Sequence, residues 1–104
     1  MGQNPKEGDY RMKLLPVNMG RRVRFALSAK PGSKVFVAGT FNKWNPTANP
    51  LTDAPDSGQF KLAMHVPKGA HEYKFVVNGI WTADPKCTNS APNAYGSMNS
   101  MLKV

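Results

Sequence analysis

The sequence predicts an all-β domain, a two-sheet β-sandwich of immunoglobulin-like type. Apolar residues alternate with polar ones in several short segments, and nowhere do they recur with the period of a helix. The 104 residues include 9 Gly and 9 Pro, a composition poor for helices and rich in turns. Turn signals divide the alternating segments at sandwich-like spacing, so about seven short strands are expected. One modest core is the limit for a chain of this length.

Residues 1–20 mix Gly, Pro and charge without a period and are read as a flexible amino-terminal tail, with Leu14 and Leu15 able to dock on the domain. Residues 21–104 form the domain. From Arg21 the alternation Val23, Phe25, Leu27 marks a first strand, which Lys30-Pro31-Gly32-Ser33 ends. Lys34 to Thr40 is a second strand, apolar on both parities and so expected to be central. Asn42 to Ser57, with Pro46, Pro50 and Pro55, is a long loop with one short edge strand around Leu51.

Gln59 to Val66 alternates with Phe60, Leu62, Met64 and Val66 on one side. After the turn Pro67-Lys68-Gly69, Ala70 to Val77 is expected to return as its hairpin partner, with Tyr73, Phe75 and Val77 inward and Glu72, Lys74 and Val76 outward. Asn78-Gly79 is a strong hairpin signal and sends Ile80-Trp81-Thr82 back as a short strand, with one of Ile80 and Trp81 facing out. Asp84-Pro85 through Pro92 reads as loop, and Ser97 to Val104 closes a sheet. Phe25, Phe36, Phe60, Tyr73 and Phe75 are assigned to the core by parity.

Composition excludes several classes of function. No apolar run reaches the roughly 18 to 20 residues of a membrane span, and the amino terminus lacks a basic-then-apolar secretory pattern, so a soluble cytoplasmic protein is expected. Gly2 lies where myristoylation acts, but Lys6 replaces the Ser or Thr of that signal. The single cysteine, Cys87, has no disulfide partner, and with His65 and His71 it makes no zinc site, so neither metal nor cofactor is expected. The acidic residues are Glu7, Asp9, Asp53, Asp56, Glu72 and Asp84. Only Glu72 and Asp84 could serve as a glycosidase pair, and both are better read as surface charges. The expectation is that the protein is not an enzyme.

Trp44 and Trp81 stand apart from the other aromatics because both lie in turn-rich stretches, AGTFNKWNP and VNGIWTADP. Flat rings on loops beside amides, glycines and Lys74 suit a ligand that offers apolar faces and hydroxyls together, as a glucan does. For Trp44 the competing reading is a plug over one end of the sandwich. The net charge of +8, densest at Arg21, Arg22 and Arg24, is read as a solvated strand face. Polyanion or nucleic-acid binding is the lesser alternative.

The segments VFVAGTFNKWN, VPKGAHEYKFVVNGIWTADP and NAYGSMNSMLKV, in this order, resemble the glycogen-binding domain of the β subunits of AMP-activated protein kinase, which belongs to carbohydrate-binding module family 48. The resemblance covers about residues 21 to 104. It implies a non-catalytic module for α-1,4-linked glucans (glycogen, starch, maltooligosaccharides) that brings a kinase or a glucan-metabolising enzyme to the polymer. Trp44 and Trp81 match the family's stacking tryptophans, Lys74 its hydroxyl-binding lysine, and Asn99 an asparagine that bonds sugar hydroxyls. Ser97 falls on a threonine, Tyr95 replaces a leucine that presses on the glucan's curve, and Ser100 replaces a second asparagine. A domain of the same fold that serves protein interaction or regulation without sugar is the alternative.

Overall fold

The computed structural model describes residues 20–54 and 56–104. The tail, including Leu14 and Leu15, lies outside the described residues. Eight strands follow in order: β1 (Arg21–Ser28), β2 (Val35–Gly39), β3 (Pro50–Leu51), β4 (Gln59–Val66), β5 (Ala70–Val77), β6 (Ile80–Thr82), β7 (Ser90–Pro92) and β8 (Met98–Lys103). A single 3-10 turn, Thr40–Asn42, follows β2.

The strands form two antiparallel sheets, as expected for a sandwich. One is the pair β1-β4, and the other has the order β3-β2-β5-β8-β7 with β6 also paired to β5. β5 is the axis of the larger sheet. Along one edge it carries β2, while along the other β8 takes Ala70 to Tyr73 and β6 takes Phe75 to Val77. A bridge between Thr52 and Lys61 ties the two sheets at one corner.

Period-two alternation explains the core. Phe25 and Leu27 of β1, with Phe60 and Val66 of β4, face Val35 and Val37 of β2, Leu51 of β3, and Tyr73 and Phe75 of β5. Phe25 meets Tyr73 edge to face at a centroid distance of 5.3 Å. Buried Tyr73 keeps its polar tip satisfied by donating its hydroxyl to Asp84 Oδ2 at 2.6 Å. Burial, reinforced by that carboxylate, pushes its phenol far above the ordinary tyrosine range. Ahead of β4, the Asp53 carboxylate accepts hydrogen bonds from Ser57 N, Ser57 Oγ and Gly58 N. Desolvation pushes Asp53 upward, but these bonds outweigh it and hold the carboxyl below its usual value.

Several sequence expectations are corrected here. β5 is not the hairpin partner of β4: the turn at Pro67-Lys68-Gly69 passes from the β1-β4 sheet to the larger one, where β2 fills one edge of β5 and β8 and β6 fill the other. Gly69 and Val104 exchange both backbone hydrogen bonds at 2.9 Å, which starts the β5–β8 pairing. His65 and His71 consequently lie in different sheets. Ser90 to Pro92, read as loop, is strand β7. Phe36 is not a core residue: it lies opposite Val76, half-buried on the outer face of the larger sheet. Ile80 and Trp81 are both exposed, at 68% and 45%.

Candidate functional site

The outer face of the larger sheet is shaped by the chain that leaves β2. After Gly39 the chain closes the 3-10 turn and then places Lys43 and Trp44 in left-handed conformations, with φ of 57° and 59°. Gly39 is required because the chains approach closely there: a Cβ would collide with the Glu72 carbonyl. Asn42 holds the loop. Its amide nitrogen donates to Val37 O at 3.0 Å and to Asn49 Oδ1 at 2.7 Å, and its oxygen accepts from Gly39 N at 2.9 Å. Trp44 N closes the loop onto Gly39 O at 2.9 Å. The aromatic of this turn that packs on the core is Phe41, against Phe25, which leaves Trp44 half-buried.

Trp81 reaches the same place from the other side, opposite Val76 on β6. The two indole centroids are 6.3 Å apart with planes inclined by 51°. They form an open angle, not a closed stack. Lys74 has the outward parity expected of it but is only 9% exposed, so its stem is covered and its ammonium donates to Ser97 Oγ at 2.7 Å.

The β7–β8 turn supplies the opposite wall. Asn93 Oδ1 accepts from Tyr95 N at 2.9 Å and Ser97 N at 3.1 Å, an Asx turn that fixes the loop. Its amide nitrogen donates to Asn99 Oδ1 at 3.0 Å, and Asn99 Nδ2 in turn donates to Glu72 Oε1 at 3.0 Å. Tyr95 stands at the tip, 92% exposed. On the β2 side, Thr40 Oγ1 lies 2.9 Å from His71 Nδ1 and accepts from Glu72 N at 3.3 Å.

Together these segments enclose a groove of about 860 Å³. All six residues singled out in the sequence (Trp44, Lys74, Trp81, Tyr95, Ser97 and Asn99) line it. Sequence reasoning missed Thr40, Glu72 and Asn93, which also line it. Glu72 was signalled by sharing the parity of Lys74, and Asn93 by its turn position two residues before Tyr95. The reading of Glu72 and Asp84 as mere surface charges is corrected: Glu72 holds Asn99 in the groove, and Asp84 holds Tyr73. Ser100 does not join the groove network. It is buried opposite Tyr73, and its hydroxyl accepts from Asp84 N at 3.2 Å.

The groove offers three aromatic rings and a polar wall with one cation and one carboxylate, an arrangement for neutral polyhydroxylated ligands. Among the described residues, no His, Cys, Asp and Glu side chains gather as a metal site, and no helix is long and apolar enough to cross a membrane.

Comparison with known proteins agrees with this geometry. The chain is 34% identical over 73 residues to 5'-AMP-activated protein kinase subunit beta-1 of Sus scrofa, covering 70% of this chain and 56% of that one. The same identity over the same length relates it to subunit beta-1 of Homo sapiens and subunit beta-2 of Mus musculus, of which it covers 25% and 26%. The chain thus spans only part of the relatives it matches. Residues 23–104 match the family described as the glycogen recognition site of AMP-activated protein kinase, and the chain belongs to that family.

Proposed function

We propose that the groove between Trp44 and Trp81 binds α-1,4-linked glucan and that the domain is a non-catalytic module bringing an attached or associated protein to glycogen or starch. The observation that carries this reading is the pair of indoles, 6.3 Å apart and inclined by 51°, beside the Lys74–Ser97 contact. Successive glucose units in an α-1,4 chain turn relative to one another, and two tilted rings can each take one apolar sugar face. The Lys74 ammonium, Ser97 hydroxyl, Asn99 amide and exposed Tyr95 ring then meet the hydroxyl edges and the outer curve.

Magnitudes suit such a role. Covering about 100 Å² of one indole at roughly 25 cal/mol per Å² gives about 2.5 kcal/mol gross. Two rings and a few hydrogen bonds exchanged with water, less association costs, leave roughly 4 to 8 kcal/mol, or dissociation constants of about millimolar to micromolar. That strength serves docking on a polymer with many equivalent ends. The non-catalytic reading is supported by the carboxylates: of Glu72 and Asp84 only Glu72 lines the groove, while Asp84 is bonded to the core residue Tyr73, so the two are not set as a pair across a glycosidic bond. By analogy with the relatives, which are kinase subunits, the attached or associated protein is a kinase working in the cytoplasm, with a glucan-metabolising enzyme as the alternative.

Native affinity electrophoresis tests the reading. Wild-type protein should be retarded in gels containing glycogen or amylopectin and not in gels containing a β-glucan. Trp44→Ala and Trp81→Ala should each abolish retardation while their circular dichroism stays native. Unchanged mobility of wild type in glycogen would end the proposal.

A further inference from the structure

Trp81 borders a second hollow as well as the main groove. Beyond it, on the same face of the larger sheet, lies a trough of about 330 Å³. Its floor is Phe36 and Val76, cross-strand neighbours, and Val76 in turn lies opposite Trp81. Pro46 and Thr47 flank it from the loop that follows Trp44, and Lys34 lies beside it.

We propose that this trough is an extension subsite for the glucose units that follow along the same glucan chain after it crosses Trp81. The inference rests on the glucan reading of the main groove. Phe36 provides the first argument. Its neighbours Val35 and Val37 are buried in the core, yet Phe36 is half-exposed on the opposite face, where nothing among the described residues covers it fully. An aromatic floor beside an indole, with an ammonium and a hydroxyl nearby, repeats in smaller form the chemistry of the main groove.

Continuity provides the second argument. The indole of Trp81 lines both hollows, so a polymer that stacks on it and continues outward at that end is delivered into the trough. Asn78, at the trough's far side, is occupied in structure: its Oδ1 accepts from Lys34 N at 2.9 Å and fixes the start of β2 relative to the β5–β6 turn. Lys34 is left to donate to sugar hydroxyls, and Thr47, whose hydroxyl donates to Asn45 Oδ1 at 3.2 Å, keeps its lone pairs to accept from them. Because the trough is less than half the size of the main groove, it takes fewer units and acts only on chains long enough to fill the groove first.

Calorimetric titration with a series of linear maltooligosaccharides tests this. For wild type, affinity should rise with length until the main groove is filled and then rise again by roughly tenfold, about 1.4 kcal/mol. Lys34→Ala and Phe36→Leu, the latter keeping an apolar side chain but removing the flat ring, should lose the second rise and bind the short oligosaccharides as wild type does. A single plateau in wild type would overturn the extension subsite while leaving the main groove intact. So would variants that keep the second rise, or that weaken short and long chains equally. No binding at any length would overturn the glucan reading itself, and this inference with it.

Discussion

Asn42, which does not itself line the groove, sets the position of Trp44. Two consecutive residues with positive φ, Lys43 and Trp44, cost roughly 1–2 kcal/mol each. The strain is offset by the bonds of the Asn42 side chain to Val37, Gly39 and Asn49. Asn42→Ala leaves Gly39 N and Val37 O short of partners, so unfolding should become easier by about 1–3 kcal/mol. Glycogen retention should fall about tenfold or more at temperatures where circular dichroism still reports a folded domain. Full retention by that folded variant would show that Trp44 keeps its place without the bracket. Tyr73 makes a different prediction. Its folded phenol lies above the unfolded value, so the folded state holds a proton that the unfolded state releases above pH about 10. The contribution is complete below that pH and is lost as pH climbs toward the folded value. Melting temperature should therefore drop more steeply between pH 9 and pH 11 for wild type than for Tyr73→Phe, and parallel profiles would refute the assignment.

Among the elements, alternation made faces legible and left partners open. The parities of β4 and β5 are as the sequence indicates, yet their mutual pairing is wrong, because period two specifies which side chains turn inward and not which edge is filled. β4 pairs with β1 along eight registered positions, from Arg21–Val66 to Ser28–Gln59, while both edges of β5 are filled, by β2 on one side and by β8 and β6 on the other. The short strand β7 was invisible for a related reason: Ser90, Ala91 and Pro92 carry no pattern of their own and are strand only because β8 lies beside them. Phe36 was misplaced because β2 is apolar on both parities, and only its register with Val76 reveals which side meets solvent. The site was more legible than the sheet order. Indoles on Gly- and Pro-rich turns stand out, whereas Glu72 and Thr40 resemble ordinary surface residues until the strands place them. The outer face of β1-β4 sets Arg22 opposite His65, and Ala26 opposite Lys61 with Arg24 between, on the side of the sheet away from the core and the groove. Binding of neutral glucan should accordingly ignore that charge. Glycogen retention should change less than about twofold between roughly 50 and 200 mM salt, where a polyanion contact would weaken by orders of magnitude. Arg22→Ala and Arg24→Ala should leave it unaltered, and a steep salt dependence would move the binding surface to β1-β4.

At the scale of the molecule, the groove exists only when the larger sheet is complete. Its walls come from the loop after β2, from β5, from β6 and from the β7–β8 turn, segments spread from Thr40 to Asn99 and brought together by pairing around β5. An unfolded chain offers a glucan no such arrangement, so binding must stabilise the fold by mass action. At ten times its dissociation constant, a maltooligosaccharide should add about 1.4 kcal/mol of stability. For a domain of this size that corresponds to a rise in melting temperature of roughly 6 to 11 °C. The rise should be absent for Trp44→Ala at the same sugar concentration. That control is decisive because concentrated sugars also raise melting temperatures by exclusion from protein surfaces, an effect indifferent to one indole. Equal rises in wild type and variant would mean that the sugar acts as solvent; a rise confined to wild type ties the stabilisation to the groove.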